Sequence, residues 1–143
     1  MQHEVKKYRL LIILSLIVVV PMGFYTKFYA GPGQVWISNS FGGMVYEVFW
    51  CLLIALLFPR YRSFGIALGV FLATCILEVL QLWSPPFLVA LRAGFIGRTI
   101  LGSVFSAWDF PYYLLGCLAG WYLLWVFKNL SGVSRRTSGP PLP

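Results

Sequence analysis

The sequence predicts an all-α membrane protein with four transmembrane helices and a short interfacial or re-entrant segment between the third and fourth. Three observations carry that expectation. Of 143 residues, 59% are hydrophobic, 18% aromatic and only 10% charged, against about 25% charged in soluble chains. Four apolar runs are divided by Gly, Pro and Ser turn chemistry. The basic residues behind the net charge of +7 flank those runs instead of gathering on one helix or arm. That distribution is a membrane-topology signal and argues against nucleic acid as a partner.

The first run, Leu10 to about Phe28, follows a short basic N-terminus and contains Pro21. It has no small-residue cleavage pair after it, so it reads as a first transmembrane helix and not a signal peptide. The stretch Ala30-Gly-Pro-Gly reads as a break, with Gly42-Gly43 closing the loop. The second helix is then expected from Met44 to Phe58, about 15 residues where roughly 20 are usual. Pro59-Arg-Tyr-Arg62 makes a basic turn, and the third helix runs from Phe64 to Trp83, stopped by Ser84-Pro85-Pro86. The segment from Phe87 to Arg98 is too apolar for a solvated loop and too short to span. Ser106 and Asp109 have capping-box spacing, with Asp in place of Glu or Gln, so a fourth helix is expected from there to Phe127. Residues 1–130 form one transmembrane domain in this reading, and 131–143 a disordered cytoplasmic tail rich in Ser, Gly, Pro and Arg.

An even number of spans puts both termini on one side, together with Lys6, Lys7, Arg9, Arg60, Arg62, Lys128, Arg135 and Arg136. Lys27, Arg92 and Arg98 fall on the other. The positive-inside rule therefore places the termini in the cytoplasm. Glu47, Glu78 and Asp109, three of the chain's four acids, then reach a similar depth in the outer leaflet, on three helices. Charges at membrane depth cost roughly 3 kcal/mol or more unless paired or wet. Glu78 lies inside its apolar run with Gln81 on the same face, and Arg98, or next Arg92, is its expected partner. Asp109, Tyr113, Gly116 and Gly120 form one stripe, the two glycines making a small-xxx-small packing pair.

Each feature has a plainer alternative. Asp109 and Glu47 can be helix caps, and Glu47 is expected in the first turn of its helix near the outer face. Trp and Tyr at 36, 46, 50, 83, 108, 112 and 113 can be an interfacial belt. Cys51, Cys75 and Cys117 lack zinc, redox or haem spacing and read as small packing residues. No metal or cofactor is expected, and no catalytic set is evident, the only histidine being His3 in the N-terminal tail.

The run Glu78-x-x-Gln81, an arginine, and Asp109-x-x-x-Tyr113-x-x-Gly116-x-x-x-Gly120 resembles VanZ-like membrane proteins, which usually have Asn where Tyr113 stands. The wider pattern, Lys27-Phe-Tyr-x-Gly-Pro-Gly-x-x-Trp, Gly42-Gly-x-x-Tyr-Glu47 and Trp108-Asp-Phe-Pro-Tyr-Tyr, is similar to a small bacterial membrane family catalogued as a domain of unknown function. That likeness covers roughly residues 20 to 125. The resemblance implies a bacterial cytoplasmic membrane location and a role at the cell envelope.

The leading expectation is a polar outer-leaflet site that binds a lipid or envelope-precursor head group. Arg98 and Arg92 would meet an anion, while Glu78, Asp109 and Gln81 orient the arginines or accept hydroxyl donors; Tyr113 belongs to the same site, with Glu47 as an additional polar group. Membrane lipids are the expected partners, with a protein partner or homo-oligomer also open. The alternatives are an accessory subunit of a larger membrane complex and a membrane-embedded enzyme using Glu78 and Asp109 as an acid–base pair.

Overall fold

The computed structural model describes residues 2–101 and 105–133. Helix α1 spans Gln2–Phe28, continuing through Pro21. A turn at Gly31–Gly33 follows, with Gly33 at φ 72°, the left-handed region that favours glycine. Short α2, Gln34–Trp36, and a π-helical turn, Ile37–Phe41, run directly into α3, Gly42–Leu57. Then come α4, Ser63–Leu80, two short helices α5, Pro86–Ala93, and α6, Phe95–Leu101, and finally α7, Asp109–Ser131. The segments Gln2–Phe28, Gln34–Leu57, Ser63–Leu80 and Asp109–Ser131 are each long and apolar enough to cross a bilayer. The protein is a multi-pass membrane protein. The tail beyond Val133, expected to be disordered, lies outside the described residues.

The second span corrects the sequence expectation. It begins at Gln34 and not at Met44, so the stretch read as loop is largely helix. Gly42 and Gly43 do not close a loop. They sit in the helix because neighbours crowd them: a Cβ at Gly42 would lie 3.0 Å from Thr26 Oγ1, and one at Gly43 3.1 Å from the Tyr113 ring. With the upstream turns added, the span reaches an ordinary bilayer length.

Helix α3 is central, packing on α1, α4 and α7. Met44 and Glu47 meet Gly116, and Cys51 meets Gly120, so α3 and α7 run parallel side by side. The turn of α7 at Gly132 returns beside Glu4 of α1. Tyr8, Ile12, Val19 and Thr26 form the inward stripe of α1, with spacings of four and seven residues. Leu52, Ala55 and Leu124 complete the tightly buried centre. The outward faces stay apolar: Ile17, Val18, Leu72 and Ile76 are all exposed, as a lipid-facing surface requires.

Between α4 and α7, α5 and α6 pack against each other as an apolar hairpin. A Cβ at Gly97 would run into the Leu91 carbonyl, so glycine is what lets the two helices approach. Phe95 stacks on Phe28 at 6.0 Å, and Tyr46 Oη donates to the Ile100 carbonyl at 2.8 Å. These contacts seat the hairpin against the bundle.

Candidate functional site

Glu78 lies in the last turn of α4 and is almost wholly buried. Its Oε1 accepts the Ser106 backbone N–H at 2.8 Å. Its Oε2 accepts the Tyr113 hydroxyl at 2.9 Å and Gln81 Nε2 at 3.2 Å. Gln81 Nε2 also donates to the Leu101 carbonyl at 3.1 Å. One carboxyl and its helical neighbour thus grip the chain just before and just after residues 102–104, and tie both to α7.

The expected Glu78–arginine pair is not formed. Arg92 Nη2 donates instead to the Leu80 carbonyl at 3.2 Å, at the C-terminal end of α4. That end of a helix has unpaired carbonyls and favours a cation. Among the described residues neither Arg92 nor Arg98 reaches Glu78. The reason is satisfaction: three donors already occupy the carboxyl, so it has no need of a cation.

Glu47 needs a second correction. With the span beginning at Gln34, Glu47 is in mid-helix, neither a cap nor in a first turn, and has no solvent exposure. Cys117 Sγ donates to its Oε2 at 2.9 Å. Thr74 lies near the same carboxyl but gives its proton to the Val70 carbonyl, 2.9 Å away. Among the described residues Oε1 of Glu47 has no hydrogen-bond partner. Cys117, read from sequence as packing, is therefore part of the polar core. Its signal was present: Asp109, Tyr113 and Cys117 recur every four residues on one face of α7.

The capping box does not form. Trp108 occupies the N-cap position of α7 and no side chain caps the helix. Ser106 instead gives its N–H to Glu78 and accepts the Asp109 N–H at its carbonyl, 3.1 Å away. Asp109 is half-buried at the start of α7, within electrostatic reach of Glu78 and Lys27. Lys27 in turn donates to the Ser38 carbonyl at 3.2 Å.

Gly116 and Gly120 do pack as the sequence indicates. A Cβ on Gly116 would lie 2.8 Å from the Met44 carbonyl oxygen and from Glu47 Cβ, and one on Gly120 2.8 Å from Cys51 Cβ. This closeness lets Tyr113 and Cys117 reach the carboxyls on α4 and α3. The aromatic positions divide. Trp36, Trp83 and Trp108 are exposed, Trp36 bonding Tyr112 at 3.1 Å, whereas Tyr113 turns inward to Glu78.

Arg92 and Arg98, unable to meet Glu78, meet each other's surroundings. Both line one open cavity of about 390 Å³ with Ser84, Val89 and Ala93. No acid lines it. Among the described residues Arg92 Nε is buried without an acceptor. The expected site residues thus separate into two groups. Glu78, Gln81 and Tyr113 form a satisfied internal brace, and Arg92 and Arg98 an uncompensated basic cavity beside it.

A family described as "Protein of unknown function (DUF2809)" matches residues 33–117, more than half of the chain. No curated protein and no solved structure matches it.

Proposed function

The chain belongs to the DUF2809 family, and from the geometry of this end of the bundle we propose that Arg92 and Arg98 hold the anionic head group of a lipid or cell-envelope precursor. The observation that carries the reading is one open cavity lined by Arg92 and Arg98 and by no acid. A phosphate or carboxylate oxygen in that cavity would meet guanidinium geometry well. Ser84 adds a hydroxyl to the same lining. The exposed apolar residues of the hairpin, Val89, Leu91 and Ile96, support the reading, since they offer a lipid's chains an apolar surface beside the arginines.

In this reading Glu78, Gln81 and Tyr113 do not touch the ligand. They are positioning residues, fixing the end of α4 and the chain after α6 so that the two arginines face one space. The setting is the bacterial cytoplasmic membrane that the family resemblance implies, with both termini inside and the cavity in the outer leaflet, the orientation that the basic-residue asymmetry favours.

The test is mass spectrometry of lipid retained by the detergent-purified protein. Arg92→Gln with Arg98→Gln should lower the occupancy of one anionic lipid per protein by about tenfold or more, since bonds to charged groups contribute about 1.5–3 kcal/mol. Unchanged retention in a folded double variant would sink the reading. A second reading, an accessory subunit of a membrane complex, is favoured by the wholly internal bonding of Glu78. A stoichiometric protein co-purifying with wild type and lost in the arginine variant would select it.

A further inference from the structure

The opposite end of the bundle holds a second basic concavity. A groove of about 530 Å³ lies between the first turns of α1, with Lys6 and Arg9, and the α3–α4 turn, with Phe58, Arg60 and Tyr61. Its cations come from two elements far apart in sequence, brought together by the antiparallel packing of α1 on α3. None of the chain's four acids lines it. Glu4, nearest along the chain, lies instead against Gly132 at the end of α7. The α3–α4 turn that lines the groove is tied to α7. Lys128 Nζ donates to the Tyr61 carbonyl and sits 5.9 Å from the centre of the buried Tyr8 ring. That lysine is used internally, and it holds the α3–α4 turn in place.

The groove is amphipathic in the way a phospholipid is. Phe58 and Leu57 are more than half exposed and adjoin the lipid-facing surface of the bundle. Arg9 and Arg60 stand beside them. We infer that this groove binds one anionic phospholipid, its phosphate held between Arg9 and Arg60 with Lys6 flanking and its acyl chains along Leu57 and Phe58. Guanidinium groups meet phosphate oxygens bidentately, and the apolar rim gives the chains a surface that water would otherwise cover. This site is separate from the Arg92–Arg98 cavity and does not rest on the function proposed for it.

The experiment uses the full-length protein in a neutral detergent, titrated with phosphatidylglycerol or phosphatidylcholine and read by native mass spectrometry. Arg9→Gln with Arg60→Gln is compared with Lys7→Gln with Arg62→Gln, which removes equal charge from the same end but from outside the groove. The groove pair should weaken the binding of one phosphatidylglycerol per protein by about thirtyfold, each cation near an anionic surface contributing about fivefold, while the control pair changes it little. Arg9→Lys with Arg60→Lys, which keeps the charge and loses the bidentate geometry, should fall between them. It also carries the test if the glutamine pair does not fold. Equal losses in the groove and control pairs would overturn the inference, because they would report general charge and no site. So would wild type that binds both lipids alike, or one whose lipid is displaced as readily by glycerol phosphate alone, which has the head-group chemistry without the chains.

Discussion

Gly116→Ala should destabilise the bundle, and the contacts fix how much. The added methyl would sit 2.8 Å from the Met44 carbonyl oxygen and from Glu47 Cβ, and 2.9 Å from Met44 Cα. Carbon contacts settle near 3.5 Å or beyond, so α7 would have to retreat by roughly 0.7 Å. Two of the three atoms are backbone of a central helix and cannot swing aside. Overpacking of this kind costs about 1–3 kcal/mol. Gly69 supplies the contrast within the same fold. It lies exposed in α4, and a Cβ there meets nothing within 4 Å. Gly69→Ala should therefore be neutral or gain up to about 1 kcal/mol from reduced backbone freedom. Unfolding in mixed micelles with increasing SDS, followed by circular dichroism, measures both. A Gly116→Ala protein as stable as Gly69→Ala would refute the claim that α3 and α7 touch through their backbones.

Glu78→Met should cost about 2 kcal/mol or more, since it strands the donors of Tyr113, Gln81 and Ser106. Glu47→Met should cost clearly less in the same micelle assay, because that carboxyl has one thiol donor and an oxygen with no partner; an inverted order would count against the brace. Gly97→Ala should push α6 off α5 and raise hydrogen exchange over residues 95–101 while leaving the core of α3 protected; protection equal to wild type in the hairpin would contradict the close approach. Reporter fusions after Tyr61 and after Ser131 should report the same side, and one after Pro32 the other; any other pattern would overturn the four-span topology.

The four spans were legible because apolar length and turn chemistry are local properties, and a bilayer leaves the backbone few alternatives. The glycine pair on α7 was legible for the same reason: its spacing is written on one helix. What sequence misplaced depends on contacts between helices. Gly42-Gly43 has the composition of a loop, and only the proximity of Thr26 and Tyr113 makes it a packed stretch of helix. That single misreading moved Glu47 from mid-span to a helix start. The partner of Glu78 was misjudged because charge was the one attraction visible in sequence. A backbone N–H at Ser106 and a hydroxyl at Tyr113 have no comparable signature, yet they reach the carboxyl at 2.8 and 2.9 Å.

The placement of donors on α7 gives the arrangement its logic. Tyr113 and Cys117 are one helical turn apart, and each reaches a carboxyl on a different helix, Glu78 on α4 and Glu47 on α3. Gly116 lies between them and sets how near α7 can come to α3. The two polar contacts and the glycine contact therefore stand or fall together, since any shift of α7 that relieves one lengthens the others. A buried acid satisfied by neutral donors forms no pair with the arginines of the neighbouring hairpin: Arg92 bonds the Leu80 carbonyl, and both arginines line one open cavity. An acid–arginine pair at Glu78 would have consumed that charge. Under the proposed function, the neutral brace is what leaves the two guanidinium groups to an anion from outside the protein.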